Sequence, residues 1–489
     1  MADRERVQGT HTQTVSMRTK LAFGIGASGE AATNWIFVAL AFFYYNQILG
    51  LSGTLAGIAV TIAIFSDAMT DPLVGSISDR FRHRLGRRHP FMFFAPAPLV
   101  ISIWVLFNPP DGMGSLGLFL WFTVSTIFMR TFLTLFAVPH LAMGSELSDD
   151  YHERSKVMSY NNIFGYVGAF LMHVVVWFVV FPAFQDGQRN PDAYTPIVLF
   201  CCAIVLVFVL SSAFLTKDQI PYLKQPPADD SGFSFMRLFK DMWEAVQNPH
   251  YKYLLLGLFL LSVMIGTHET LAIYMATFFW ELSPYQIGWL IAGNVIGTSV
   301  AFATTAKIHR RIDKRWTIVY TAAGLTFFWS LAVNLRLLGL APEENGTWTL
   351  VLFIISIGWM STSCGAILNI SVMSALADIA DEHELTTGRR SEGIFYSART
   401  FFAKATNGIG HVVAGIALDI IDFPTRAVPG EVGAEQIFQL GLVDGPFAMV
   451  WGFVAAALYA GYRIDRRYHR EIQEQLAARH ADAVAQAAK

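Results

Sequence analysis

Residues 66–90 read SDAMTDPLVGSISDRFRHRLGRRHP, which sets two carboxylates inside an apolar run and follows them at once with a dense basic loop. Asp67 and Asp71 are one helical turn apart. On a helix this spacing projects both acids, with Thr70 beside them, from one face, where they can share a cation or a proton. Pro72 lacks an N–H and so frees a carbonyl one turn earlier, another oxygen for a hard cation. An ionisable side chain in hydrocarbon costs about 2.5–3.5 kcal/mol on insertion scales, so such acids face a polar cavity and mark an ion or substrate path. The alternative reading is local: one Asp caps the helix or pairs with a structural Arg. Arg80, Arg82, Arg84, Arg87 and Arg88 then crowd a short connection. Beside an apolar helix, that is the charge pattern of a cytoplasmic loop.

The whole chain has the same character. Of its 489 residues 54% are hydrophobic and 14% aromatic, and the mean hydropathy is +0.43, which is more apolar than a soluble domain. A polytopic membrane protein in contact with the lipid bilayer is expected. The net charge of −2 and basic residues confined to loops argue against nucleic acid as a partner. Cys201, Cys202 and Cys364 lie in apolar runs without metal-type spacing and read as small buried hydrophobes. Residues 1–19 are polar, with neither a short apolar core nor a cleavage site, and read as a cytoplasmic tail.

Apolar runs of sufficient length number roughly twelve. They lie near 20–48, 53–78, 91–108, 116–143, 156–182, 194–215, 250–280, 284–306, 315–339, 348–376, 393–421 and 440–464. Connections at 79–90 and 307–315 and the tail at 463–470 are rich in Arg and Lys, whereas those near 109–115, 340–347 and 422–445 hold more acids than bases. Both termini are therefore expected to be cytoplasmic, in a plasma (inner) membrane. Hydrophobicity drops over 216–249, where Pro221, Pro226, Pro227, Asp229 and Asp230 mark a linker. Within it Phe235, Leu238, Phe239, Met242 and Val246 form one stripe, which predicts a short amphipathic helix lying on the membrane surface or on the protein itself. The chain divides into a half at 20–215, this linker, a half at 250–465 and a tail at 466–489.

DAMTDPLVGSISDR followed by RLGRRHPF, and much later ADIADEHELTTGRRSEGIFYSARTFFAKA at 377–405, resemble two motifs of the glycoside-pentoside-hexuronide:cation symporters, the melibiose-permease-like branch of the major facilitator superfamily. The resemblance covers about 20–467. It implies an all-α membrane protein of twelve transmembrane helices in two six-helix halves, with a substrate site near the midplane. Internal echoes agree: 79–90 has a weaker counterpart in KIHRRIDKRW, and SELSDDYHERSK at 145–156 resembles ADIADEHELTTGRR at 377–390 in position and polarity. The resemblance puts Lys404 at the family's functional lysine, with Thr400 one turn before it, as substrate ligands. It also shows departures. Ala31 stands where the sugar carriers have an Asp, so the neighbouring Glu30, one turn from Asn34, is the candidate in its place. Ala137 stands where the fourth helix carries an acid, and Asn162 where the fifth carries an Arg.

Other polar residues in the spans extend the candidate list. Arg130 lies deep in the fourth apolar run, seven residues before Ala137. A buried cation requires an acid partner or an anionic ligand, so Arg130 either binds substrate or is fixed to Asp67 or Asp71. Asn162, Tyr166 and His173 make a polar stripe, and the seventh span holds His268, Glu269, Tyr274 and Thr277. Adjacent residues point different ways, and Glu269 is the better substrate candidate because a buried carboxylate persists only for a strong reason. Arg84, Glu146, Asp149, Arg154, Asp378, Asp381, Arg389 and Arg390 lie at helix ends and read as a cytoplasmic salt-bridge gate.

These readings point to a monomeric secondary symporter without cofactors. It moves a small solute, a sugar, glycoside or sugar acid, with Na⁺ or H⁺ at Asp67, Asp71 and Thr70, by alternating access. The loss of the fourth-helix acid also occurs in the sodium-dependent lysophospholipid symporters that this family resembles, which keeps an amphipathic anion as the alternative. A receptor or scaffold on the same fold is more remote, since it has no use for costly buried charges. No HExxH or GxSxG sequence supports an intramembrane enzyme.

Overall fold

A computed structural model of the chain describes residues 14–223, 235–388 and 392–487. These residues form helices joined by turns, with no strand among them. In a bilayer no water is at hand for exposed N–H and C=O groups, and a helix satisfies both within one segment. Nine of the helices among the described residues are long and apolar enough to cross a membrane. The other three expected spans are helical as well. The first runs through Met17–Ile36 into wider turns at Phe37–Ala41 and Tyr44–Ile48, and it carries polar residues that lower its hydropathy. The third is split into His89–Phe94 and Pro96–Phe107, because Pro96 has no N–H to continue the ladder. The eleventh, Glu392–Ile420, includes Arg399, Lys404 and Asn407 among its apolar residues.

Helices begin where side chains satisfy their orphan amides. Asp150 accepts from the Glu153 N–H, Asn248 from those of His250 and Tyr251, and Ser283 forms a capping box with Gln286. The start of the Gly53–Arg80 helix is capped from far away. Asp419 Oδ1 and Oδ2 accept from the Gly53 and Thr54 amides, each at 2.8 Å, so a full negative charge sits at the positive end of the helix.

The chain forms two compact units, one of Met1–Tyr44 with Ser66–Phe233, the other of Tyr45–Phe65 with Ser234–Lys489. They differ from the halves expected from sequence by one segment, 45–65, so that the Gly53–Arg80 helix is divided between them. In the first unit Met17–Ile36 lies along Tyr151–Val174. Their backbones approach so closely that a Cβ on Gly168 would stand 2.3 Å from the Ser28 carbonyl. The second unit packs Pro249–Tyr274 on Glu392–Ile420 and Lys314–Leu337 on Trp348–Thr387, over a core that includes Tyr251, Leu254, Leu376, Phe395 and Tyr459. Residues 53–65 join this unit along the Glu392–Ile420 helix. A Cβ on Gly57 would fall 2.5 Å from the His411 carbonyl, and one on Gly415 would fall 2.0 Å from that of Gly53.

The linker helix is present at Phe235–Gln247 and packs on Pro249–Tyr274 and Glu392–Ile420. Val246 rests against the core of the second unit. The side chains of Phe235, Leu238, Phe239 and Met242, like Pro226, Pro227, Asp229 and Asp230, lie outside the described residues.

Candidate functional site

The polar centre of the first unit is built by three helices. Gly53–Arg80 carries Asp67, Thr70 and Asp71; Ser115–Glu146 carries Arg130 and Thr134; Met17–Ile36 carries Glu30 and Asn34. Arg130 donates from Nη2 to Asp67 Oδ2 at 2.6 Å and from Nη1 to Asn34 Oδ1 at 2.6 Å, and its guanidinium lies 5.6 Å from the Phe37 ring centroid. Asp67 is 3% exposed and the Arg130 side chain 12%, so the pair is held in a low-dielectric setting where each partner depends on the other.

Thr134, one turn after Arg130, stands 2.9 Å from Asp67 Oδ1 and 2.9 Å from Asp71 Oδ1. A hydroxyl has one hydrogen and donates to one of these oxygens at a time. Thr134 was not singled out from sequence, because a threonine in an apolar helix ordinarily bonds back to its own backbone. Thr70 does so here: its hydroxyl donates to the Asp67 carbonyl at 3.1 Å.

Asn34 turns its amide nitrogen to the Glu30 carbonyl at 3.2 Å. On Tyr151–Val174, Asn162 and Tyr166 are exposed, and His173 meets Trp35 edge to face at 6.0 Å. In the second unit Thr400 is exposed and bonded to the Tyr396 carbonyl at 2.9 Å, and Lys404 is half-buried on the same helix. His268 and Glu269 diverge as adjacent helical residues must. His268 Nδ1 meets Asp444 Oδ1 at 2.7 Å with its ring on Trp329, and Glu269 Oε2 accepts from Asn407 Nδ2 at 3.2 Å. Asn407 also meets His411 Nε2 at 3.2 Å, and His411 Nδ1 faces the Thr270 hydroxyl at 2.5 Å. Asp444, Asn407 and His411 escaped the sequence reading, because single polar residues in an apolar run carry no spacing signal.

The charged helix ends form two clusters, one in each unit. Buried Glu146 accepts from Arg87 at 2.7 Å and from Arg88 at 2.8 Å, and Arg88 also bonds Asp79 and the Ser78 hydroxyl. Arg84, another of the expected gate residues, is exposed in the turn: the two arginines nearer the next helix start reach Glu146. Arg154 donates to the Ser148 carbonyl at 3.4 Å, and Asp149 is exposed. In the second unit Asp378 accepts from Lys314 at 2.7 and 2.8 Å and from the Tyr462 hydroxyl at 3.1 Å, while His469 lies 3.3 Å from Asp378 and 3.2 Å from Asp381. Burial, with the Asp378 charge beside it, pushes the Tyr462 phenol above its ordinary range. Arg389 and Arg390 lie outside the described residues. Asp378 is 4% exposed, so Asp378→Asn should destabilise the protein by about 1–3 kcal/mol by weakening bonds to three partners at once. Thermal unfolding in detergent measures it, and an unchanged melting temperature would show that the cluster does not hold these helix ends.

Comparison with known proteins places the chain. Residues 22–466 match the family model described as MFS/sugar transport protein. The glucuronide carrier protein homolog of Escherichia coli is 22% identical over 436 residues, covering 85% of this chain and 86% of that one. The sodium-dependent lysophosphatidylcholine symporter 1 of Mus musculus is 22% identical over 502 residues, covering 95% and 89%. Among solved structures, the nucleoside transporter NupG superposes with a TM-score of 0.62 at 13% identity, covering 91% of this chain and 99% of that one.

Proposed function

The chain belongs to the MFS/sugar transport protein family, and from that premise we propose that it is a symporter that couples movement of a small solute to that of Na⁺ or H⁺ by alternating access. It is an integral membrane transporter, not an enzyme. The observation that supports the coupling is the pair of carboxylates one turn apart in a membrane-spanning helix that meet the same Thr134 hydroxyl. Asp71, with Asp67 and Thr70, takes the cation. Lys404, Thr400, Glu30, Asn34, Asn162, Tyr166 and Glu269 bind the solute, a glycoside or sugar acid, through donors and acceptors suited to hydroxyl and carboxylate groups. Binding of either partner favours the other by the same factor, because linkage is reciprocal. Both termini face the cytoplasm, as the basic loops direct.

Support for the solute class comes from two directions: the family description names sugars, and the relative in Escherichia coli is named for a glucuronide. Uptake of a labelled glucuronide or glycoside into proteoliposomes tests the reading. An inward Na⁺ or H⁺ gradient should raise accumulation above the level reached without one. Equal uptake with and without either gradient would sink the coupling, and stimulation seen only with a lysolipid would move the substrate to that class.

A further inference from the structure

A row of polar side chains in the second unit joins two membrane-spanning helices. Glu269 and Thr270 stand on Pro249–Tyr274, Asn407 and His411 on Glu392–Ile420. Glu269 Oε2 accepts from Asn407 Nδ2 at 3.2 Å, and Asn407 Oδ1 lies 3.2 Å from His411 Nε2. At the other side of the ring His411 Nδ1 lies 2.5 Å from the Thr270 hydroxyl, which donates to the Gly266 carbonyl at 2.9 Å. Thr270 and His411 are 4% and 5% exposed. The hydrogens of this row can be counted. With the Thr270 hydrogen on the Gly266 carbonyl, the hydroxyl oxygen accepts from an N–H at His411 Nδ1. Asn407 has given its nitrogen to Glu269, so its oxygen calls for an N–H at His411 Nε2 as well. Every contact then sets a donor on an acceptor, and the ring is an imidazolium. A neutral ring either bares Nε2 to the Asn407 oxygen or draws the Thr270 hydrogen away from Gly266.

Glu269 supplies the second half of the argument. Among the described residues it is bonded to the Asn407 amide and to no cation, and an ionised carboxylate in a membrane span needs a counter-charge. We propose that this row is a proton-binding site: His411 carries the proton, Glu269 balances its charge, and the Asn407 amide joins the two. Other charged groups on the packed helices are engaged or placed elsewhere. His268 meets Asp444, Arg399 meets Asn369, and Asp419 caps Gly53 and Thr54. Lys404 lies two turns before His411 on its own helix, Lys240 and Glu244 of the linker helix are exposed, and neither residues 53–65 nor Trp348–Thr387 before Asp378 hold a charged residue. The site involves neither Asp67 nor Asp71 and does not depend on the symport reading, since a proton held here is compatible with coupling to either ion.

The experiment follows melting temperature in detergent against pH. Above about pH 6.5 the unfolded chain holds no proton on either residue, whereas the folded site holds one, so raising the pH favours unfolding. A single bound proton costs the folding equilibrium a factor of about ten per pH unit until the site itself lets the proton go. Between about pH 7 and pH 9 the melting temperature of the wild type should therefore fall more steeply than that of Glu269→Gln, which removes the counter-charge, or of His411→Gln, which removes the seat of the proton. Glu269→Met and His411→Leu make the same comparison where a glutamine variant does not fold. The His268–Asp444 pair is kept in all of these proteins, so the difference in slope reports the row. A folded variant at either position with the wild-type slope overturns the proposal. Uptake judges the symport reading separately: indifference to every gradient sinks that reading and leaves this site standing, whereas equal slopes sink this site alone.

Discussion

In proteoliposomes carrying Asp71→Asn, an imposed cation gradient no longer drives solute accumulation, while the protein inserts and melts like the parent chain. Asparagine nearly matches the carboxylate in shape and still meets the Thr134 hydroxyl at the place where Asp71 Oδ1 stands, 2.9 Å away, so packing is kept. What is lost is the charge that a coupling cation neutralises. A potential of 100 mV is worth about 2.3 kcal/mol per elementary charge and sustains roughly 50-fold accumulation when one charge travels with the solute. The variant should come to about onefold, with exchange of labelled for unlabelled solute retained. Accumulation at the parent level would remove Asp71 from the ion path.

Asp67→Asn fails differently, in folding. Asp67 is bonded to Arg130 at 2.6 Å and is itself 3% exposed. Its replacement leaves a guanidinium deep in the Ser115–Glu146 helix without its carboxylate, and removing one partner of a buried pair costs about 3–5 kcal/mol. A large drop in melting temperature and in yield from the membrane is expected. Arg130→Gln on the same chain should restore most of it, because the two changes together leave no orphan charge, and this non-additivity is the signature of direct contact. A double variant no more stable than Asp67→Asn alone would show that the guanidinium is satisfied without Asp67.

The contrast between the two acids was only partly legible in the sequence. Two carboxylates one turn apart in an apolar run announce a polar centre, and the cost of an unpaired cation announces that Arg130 has a partner. Which acid it takes depends on the rotation and height of one helix against another, and hydropathy carries neither. Thr134 was hidden for a simpler reason: its residue type in an apolar helix has an ordinary use. At the helix ends five arginines within nine residues left the choice open, and Arg87 and Arg88 reach Glu146 where Arg84 does not. The helices themselves were readable because length and apolarity determine them. The division of the Gly53–Arg80 helix between two compact units was not, because its hydropathy runs on unbroken.

That divided helix bears on how the protein is made. Its opening turns are capped by Asp419, 366 positions further along the chain, and at about 5–20 residues per second a ribosome needs roughly 20–70 s to reach that residue. For that time the Gly53 and Thr54 amides and the bare glycine face of residues 53–57 have no Glu392–Ile420 helix to lie against. The segment must wait in the insertion machinery, in lipid or in the grip of a chaperone. The first half of this transporter therefore cannot finish folding until the ribosome has nearly finished the second.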